Sequence, residues 1–349
     1  MKIIYKQLFI IGLSSVALSC GTPKKVYTPA KKTTSTTNIP QKTTSNLQTL
    51  PEKGNNASKV QHENNEDYFR TNIGDVSKND NTISYGSIVS AKPNGFKVVK
   101  TYFPATGQNF RQRYIILHYT ALNNDKSVRV LTQQSLSSHY LVNDLDDKEI
   151  YQLVDENKRA YHAGVSQWRN DAQLNDTSIG IEIVNMGYVV DSLKRKIFPI
   201  YPEHQVEKIA ALVKDLANRY NIPATNILAH SDIAPARKQD PGPQFPWKKL
   251  HDEYQIGMWY DEVAKQNFMN QASTMDFSTL ILEASFIYKL QSDLKKFGYG
   301  VIPSGTMDDT TKKTIEALQY HFRPTNYDGV LDAETWSVLQ ALIQKYPTK

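Results

Sequence analysis

Three residues that lie far apart in the sequence carry side chains that could bind one metal ion. His118 ends the apolar run in "RYIILHYT", His230 ends "NILAH", and Asp240 follows ten residues later. Two imidazoles and one carboxylate form a ligand set that zinc accepts, with the fourth tetrahedral position left for water. A lone histidine at a strand end is more often structural, however, and from the residues alone His139 and His162 could equally serve as ligands.

The segment that contains His230 and Asp240 is rigid by composition. "AHSDIAPARKQDPGPQFPW", residues 229–247, contains four prolines, which fix φ and lack a backbone donor, so it forms neither a helix nor a central strand. A rigid loop suits a metal ligand because ligands need placement within a fraction of an ångström. Lys238 lies on the same loop, either as an ordinary surface lysine or as a cation that stabilises a developing oxyanion.

Glu182 is the single acidic residue in the apolar run "SIGIEIVN", residues 178–185. In an alternating strand such a carboxylate usually faces solvent. A zinc hydrolase, however, needs a base that takes a proton from water and returns it to the leaving amine, and a glutamate on a strand can do this. We expect no chemical role for the remaining histidines, which are His62, His204, His251 and His321.

The elements that must position these side chains indicate an α/β domain over residues 90–265. Residues 113–120 and 178–185 fit buried strands, and a short strand leads to His230. "SHYLVND" and "EIYQLVDE" flank a turn-like segment and predict a hairpin. Residues 202–223 form an amphipathic helix with a proline near each end. We therefore predict a mixed central β-sheet flanked by helices.

The carboxyl-terminal segment contains an internal repeat. "GTMDDTTKKTIEALQ" begins at Gly305 and "GVLDAETWSVLQAL" begins at Gly329. In each half-repeat an aspartate stands where it can cap the helix that follows. Together with the preceding segment "ASFIYKLQSDLKKFGY", they predict a second, small all-α domain of three helices over residues 273–349.

The amino-terminal segment has the features of an exported, tethered protein. Residues 1–20 combine a basic start with a short apolar run, which is a secretory signal pattern. "ALSC" before Gly21 resembles the lipobox of bacterial lipoproteins, which implies acylation of Cys20. Residues 21–84 are rich in Thr, Ser, Lys and Asn, and we expect them to form a disordered tether.

The net charge limits the class of partner. The formal charge is +6, which suits an anionic polymer, a membrane surface or nucleic acid. Much of the excess lies in the first hundred residues, so we expect no nucleic-acid partner.

Four motifs together resemble a known enzyme family. "ILHYTA", "YHAGVSQWRN", "LNDTSIGIEIVN" and "HSDIAPARKQDPGPQFPW" occur in the order found in zinc-dependent N-acetylmuramoyl-L-alanine amidases of the AmpD and AmiD type, which share a fold with phage T7 lysozyme and the peptidoglycan-recognition proteins. The resemblance covers about residues 95–260. It implies zinc at His118, His230 and Asp240, with Glu182 as the catalytic acid and base and Lys238 as the stabiliser of the transition state.

The same resemblance implies that His162, and with it Trp168, lies near the substrate groove. The half-repeats resemble the three-helix peptidoglycan-binding module of wall hydrolases. We therefore expect an amidase that hydrolyses the bond between N-acetylmuramic acid and L-alanine during cell-wall turnover or recycling. The alternatives are a non-catalytic peptidoglycan-binding protein on the same fold and a structural lipoprotein that tethers wall to membrane.

The location and the oligomeric state follow as further expectations. The residue after the cysteine is Gly21, not the aspartate that retains some lipoproteins at the inner membrane. We expect a monomer that is lipid-anchored in the cell envelope, at the outer membrane and facing the periplasm.

Overall fold

The structure is a computed structural model that describes residues 93–98 and 107–348. The predicted signal segment, Cys20 and the tether over residues 21–84 lie outside the described residues.

A five-stranded sheet forms the centre of the first part of the described chain. Its strands in spatial order are β3 (Tyr151–Gln152), β2 (Tyr140–Val142), β6 (Ser178–Ile183), β1 (Tyr114–Tyr119) and β9 (Ile227–Ala229). Strand β3 is antiparallel to β2, and the other neighbours are parallel. Two small antiparallel pairs accompany the sheet, namely β4 (Gln167–Trp168) with β5 (Asp171–Ala172) and β7 (Val189–Val190) with β8 (Lys196–Ile197). The sheet is therefore mixed, as predicted.

The helices alternate with these strands and then follow them. They are α1 (Asn124–Gln133), α2 (Glu203–Tyr220), α3 (His230–Ile233), α4 (Trp247–Tyr254), α5 (Glu262–Ala272), α6 (Phe277–Leu280), α7 (Ala284–Phe297), α8 (Asp309–Phe322) and α9 (Ala333–Lys345). None of the helices in the described residues is long and apolar enough to cross a membrane.

The apolar patterns explain why these segments take these forms. All six residues of β6 are buried, and so are five of the six in β1, as expected for parallel strands that are covered on both faces. Helix α2 buries an apolar stripe against the sheet; it begins after Pro202 and ends before Asn221, whose left-handed conformation (φ 51°) closes the helix. The predicted strands, the hairpin and this helix are confirmed, each a few residues shorter than the pattern.

One element differs from the prediction in a way that affects the site. His230 was expected to end a strand, but β9 ends at Ala229 and His230 is the first residue of the single-turn helix α3. The imidazole therefore projects from a helix start and not from the pleat of the sheet.

The predicted three-helix segment consists of α7, α8 and α9, which we call the helical module (residues 284–345). Asp308 caps α8 by accepting a hydrogen bond from the Thr311 amide, and Asp332 caps α9 in the same way with Thr335. The half-repeats thus form the capped helices that their sequence predicts. The buried apolar residues of the module and of the central sheet form one continuous cluster.

Candidate metal centre

The sheet brings the first two candidate residues together at the carboxyl ends of parallel strands. His118 in β1 lies directly opposite Glu182 in β6. Strand β9 pairs with the other edge of β1, so His230, the next residue after β9, reaches the same end of the sheet. This is the edge at which open parallel sheets usually bind ligands.

Three side-chain atoms converge on one point there. The Nδ1 atoms of His118 and His230 lie 2.8 Å apart, and the Asp240 Oδ2 lies 3.0 Å from the first and 2.9 Å from the second. All three side chains are buried. The predicted ligand set is therefore assembled, although its members are up to 122 positions apart in the sequence.

The hydrogen bonds on the far side of each ring determine which nitrogen has the free lone pair. His230 Nε2 lies 3.1 Å from the carbonyl oxygen of Ala163, which can only accept, so Nε2 carries the proton. When the ring carries one proton, His230 Nδ1 is therefore the nitrogen with the free lone pair. A metal-binding histidine typically donates its other ring N–H to such an acceptor.

A longer chain of hydrogen bonds gives the same result for His118. Its Nε2 lies 2.9 Å from His162 Nδ1, His162 Nε2 lies 3.2 Å from the Ser178 hydroxyl, and that hydroxyl donates to the Leu174 carbonyl oxygen at 2.5 Å. Because the last atom can only accept, each group donates toward it, beginning with His118 Nε2. His118 Nδ1 is then free to bind a metal.

The electrostatics of His118 agree with this protonation state. Burial, reinforced by His230, lowers the pKa of His118 to about 4, so the ring is neutral at pH 7. Burial opposes the ionisation of Asp240, but the two imidazoles outweigh it and hold its pKa below the usual range. Two imidazoles and one carboxylate are a donor set that fits zinc.

Glu182 is buried beside this cluster and is not turned to solvent. Its side chain is 7% exposed, and its Oε2 atom has no hydrogen-bond partner in the described residues. Burial, and then the negative charge of Asp240, raise the pKa of Glu182 well above its ordinary value, while Lys238 opposes this shift. Because the side chain is buried, the solvent-facing alternative is wrong, and the raised pKa makes the carboxyl group better suited to accept a proton and return it.

Hydrogen bonds fix the proline-rich loop that carries the candidate ligands His230 and Asp240. The Ser231 amide donates to the Asp240 carbonyl oxygen at 3.0 Å, which closes the loop onto itself. The Arg237 guanidinium donates to the carbonyl oxygens of Ala163 and Val165, which ties the loop to the segment that begins at His162. Lys238 lies on the exposed side of this loop. The sequence offered no signal for Arg237, because it acts on backbone oxygens of a distant segment.

The structure decides between the alternative histidine ligands. His139 Nδ1 accepts from the Gly180 amide and its Nε2 donates to the Lys158 carbonyl oxygen, so both nitrogens are committed to backbone. His162 lies against His118 but has both nitrogens in the chain of hydrogen bonds described above. Neither ring belongs to the group of potential metal ligands formed by His118, His230 and Asp240.

Trp168, which the resemblance places near the substrate groove, is completely buried, and its indole N–H donates to the Thr225 carbonyl oxygen at 3.0 Å. The ring packs edge-on against Phe297 and Tyr299 of the carboxyl-terminal segment. Trp168 therefore joins the sheet domain to the helical module, and its place near the substrate groove stays a prediction.

His321 also differs from expectation. It lies on helix α8, as the sequence pattern indicates, but it is buried, and its Nδ1 lies 2.7 Å from Asp232 Oδ2. His321 is therefore paired with the buried carboxylate of Asp232, which lies two residues after His230 in the sequence. No sequence pattern indicates this contact, because the two residues are 89 positions apart.

Two segments of the chain match models of known protein families. Residues 108–243 match the family model described as "N-acetylmuramoyl-L-alanine amidase". Residues 283–339 match the model described as "Putative peptidoglycan binding domain". The second match coincides with most of the helical module.

Individual relatives extend the similarity beyond the first segment. The chain is 40% identical over 241 residues to the N-acetylmuramoyl-L-alanine amidase AmiD of Escherichia coli, which covers 68% of this chain and 84% of that protein. It is 44% identical over 105 residues to the 1,6-anhydro-N-acetylmuramyl-L-alanine amidase AmpD of Enterobacter cloacae, over 30% of this chain and 51% of that one.

Solved structures resemble both parts of the molecule. The Escherichia coli AmiD, in complex with anhydro-N-acetylmuramic acid-L-Ala-D-gamma-Glu-L-Lys, has a TM-score of 0.65 and 37% identity, and covers 73% of this chain and 97% of its own. AmpDH3 from Pseudomonas aeruginosa has a TM-score of 0.61 and 35% identity, and covers 75% and 100%.

Proposed function

The chain belongs to the N-acetylmuramoyl-L-alanine amidase family, and on that premise we propose that it hydrolyses the amide between N-acetylmuramic acid and L-alanine with a zinc ion bound by His118, His230 and Asp240. The observation that carries the proposal is the convergence of three potential ligand atoms beside a buried glutamate oxygen that has no partner in the described residues. A zinc ion bound there supplies Lewis-acid polarisation and makes water a stronger acid.

The residues of the chain divide the remaining work of the reaction. Glu182, whose raised pKa suits proton transfer, takes a proton from the attacking water and delivers it to the nitrogen of the departing L-alanine. Lys238 stabilises the negative charge that develops on the carbonyl oxygen. His162 and Ser178 fix the tautomer and the orientation of the His118 ring. The reaction consumes one water and needs no covalent enzyme intermediate.

Removal and replacement of the metal test this proposal. We expect the purified protein to release the stem peptide from a soluble muropeptide, to stop after treatment with a chelator, and to resume when zinc is added. Mass spectrometry of the products identifies the bond that is cleaved. Full turnover by metal-free protein would contradict the zinc mechanism, whereas binding without cleavage by zinc-loaded protein would favour the non-catalytic alternative.

We assign peptidoglycan binding to the helical module, on the family match of residues 283–339. A groove of about 480 Å³ runs between Ala236 on the metal-site loop and the half-repeats, where Lys312, Lys313 and Asp328 line it. We expect Lys312→Glu to weaken pelleting of the full chain with insoluble peptidoglycan while turnover of a soluble muropeptide is unchanged. Equal pelleting would exclude this groove.

The amino-terminal part of the proposal rests on sequence alone. The signal pattern over residues 1–20 and the lipobox-like "ALSC" support acylation of Cys20 and attachment of a monomer to the outer membrane, facing the periplasm. Cys20→Ala should move the protein from the membrane fraction to the soluble one or leave its signal uncleaved. Equal membrane association of a processed Cys20→Ala protein would contradict lipidation.

A further inference from the structure

A buried polar contact connects the helical module to the metal-site loop. The Tyr299 hydroxyl, on the segment that follows α7, donates to Asp232 Oδ1 at 2.9 Å. His321, on helix α8, places its Nδ1 2.7 Å from Asp232 Oδ2. The exposed fractions of Asp232, Tyr299 and His321 are 0%, 1% and 1%. The carboxylate therefore receives two of its hydrogen bonds from the module and has no access to water.

Asp232 in turn holds the backbone at the candidate zinc ligand His230. Its Oδ2 accepts from the Ala229 amide at 2.9 Å. Ala229 is the last residue of β9 and the N-cap of α3, and Asp232, the third residue of the helix, makes the half of a capping box in which the N3 carboxylate accepts from the N-cap amide. The turn from β9 into α3, where His230 stands, thus depends on the position of one carboxylate.

The orientation of the His321 ring is also fixed. The ring stacks on Trp247 with centroids 3.9 Å apart and an interplanar angle of 20°. Its Nε2 is buried without a hydrogen-bond partner in the described residues, whereas its Nδ1 faces Asp232. An N–H on Nε2 would be left unsatisfied there, so the proton belongs on Nδ1 and His321 donates to Asp232.

We propose that Asp232, Tyr299 and His321 are positioning residues for the metal centre, and that the helical module is in this respect a part of the catalytic unit. The inference rests on the proposed zinc function. The module holds Asp232, Asp232 holds the turn at Ala229, and the turn presents His230 Nδ1 to the point it shares with His118 and Asp240. Loss of a group that orients a metal ligand typically weakens metal binding by about 10–100-fold.

Zinc affinity in the full chain tests this inference, with competition against a chromophoric chelator as the readout. We expect His321→Leu to weaken zinc binding by about 10–100-fold. His321→Asn, whose amide N–H can replace Nδ1–H, should restore most of the affinity. Tyr299→Phe, which removes one oxygen atom and keeps the packing, should weaken zinc binding by a smaller factor and remains informative if His321→Leu fails to fold.

Tyr346→Phe is the matched control, because it removes a hydroxyl that also joins the module to the sheet domain. The Tyr346 hydroxyl lies 3.2 Å from the Trp259 carbonyl oxygen and does not contact Asp232. A merely structural role for the Asp232 contacts would lower the Tm of all these variants and leave zinc affinity alone. At saturating zinc, we expect the KM for a soluble muropeptide to be unchanged in each variant.

The outcomes separate this inference from the proposed function. Wild-type zinc affinity in folded Tyr299→Phe and His321→Leu proteins would overturn the positioning role and leave the zinc amidase intact. An equal loss of affinity in the Tyr346→Phe control would also overturn it, because general loosening of the module would then be the cause. Absence of zinc binding by the wild-type chain would contradict the proposed function itself, and this inference with it.

Discussion

The metal centre and two buried glutamines of the helical module satisfy their polar groups in opposite ways. Gln291 on α7 and Gln319 on α8 each bond to equivalent positions of the half-repeat that follows, and both side chains are fully buried. The Gln291 amide group donates to Thr311 Oγ1 at 2.8 Å and to the Thr306 carbonyl oxygen, and it accepts from Gly305. Gln319 makes the same kinds of bonds to Thr335, Val330 and Gly329.

At the metal centre, by contrast, three ligand atoms lie within 3.0 Å of one another, and Glu182 Oε2 has no partner in the described residues. A buried polar atom without a partner costs roughly 1–3 kcal/mol, so such an arrangement lowers stability unless a ligand completes it. The difference fits a structural role for the two glutamines and the proposed chemical role for the metal centre.

The largest effect is expected from removal of a ligand at the metal centre. His118→Ala deletes one of the three converging atoms, so we expect loss of bound zinc and a fall of muropeptide turnover to the uncatalysed background. Metal analysis and product mass spectrometry measure both. A His118→Ala protein that keeps stoichiometric zinc and activity would show that the converging atoms are only a polar cluster like those of the module.

Lys238 should affect the reaction without affecting the metal. Because Lys238 is proposed to stabilise charge that develops only during attack, Lys238→Met should lower kcat by about 10²–10³-fold, with zinc content and KM nearly unchanged. Lys214→Met, at an exposed lysine on helix α2, is the control and should keep wild-type kcat. A Lys238→Met protein with unchanged kcat would remove Lys238 from the mechanism.

In the module, the expected effect is on stability. Gln291→Met conserves the side-chain volume but leaves the Gly305 and Ser304 amides and the Thr306 carbonyl oxygen without their partner. We expect a loss of roughly 2–4 kcal/mol in the free energy of unfolding, measured with urea. Gln266→Met, at an exposed helical glutamine, should change it by less than about 0.5 kcal/mol. Equal effects of the two substitutions would show that the buried amide contributes nothing.

Glu156 provides the smallest effect and the sharpest contrast with Glu182. Burial opposes its ionisation, but Arg219, Tyr140 and Tyr220 donate hydrogen bonds to it and hold its pKa below the ordinary value. A lowered pKa in the folded state contributes stability above the unfolded-state pKa, near 4.5, and this contribution is lost as the pH falls through the folded-state pKa.

Glu156→Gln should therefore cost about 1–2 kcal/mol at pH 7, and less as the pH is lowered through 4.5 and below. Urea unfolding at several pH values measures this, with Glu207→Gln, at an exposed glutamate on helix α2, as the control. A constant difference between wild type and Glu156→Gln across this pH range would contradict the assignment.

The sequence predicts the local elements and the composition of the site well, for physical reasons. The spacing of apolar residues along the sequence predicts the buried strands and α2. The positions of Asp308 and Asp332 predict the capped helices of the module. The sequence also identifies the candidate metal ligands at the end of the parallel sheet. It does not exclude His139 and His162 as ligands, because that decision depends on the hydrogen bonds of their rings, which only the structure shows.

The long-range packing of the module could not be predicted. Trp168 stands beside a motif of the site, yet Phe297 and Tyr299, which bury it, come from more than a hundred residues later. His321 stands in an ordinary helical pattern, and only the packing of α8 against α3 shows that it contacts Asp232. Neither contact has a local signal, because both depend on how two independently patterned segments pack together.

The most direct test of the account is the turnover of the zinc-loaded Glu182→Gln protein. The substitution keeps the size of the side chain and removes its ability to accept a proton. The account predicts a folded protein with a full complement of zinc, a KM near that of wild type, and a kcat lower by about 10²–10⁴-fold. A zinc-loaded Glu182→Gln protein that hydrolyses muropeptide at a near wild-type rate would contradict it.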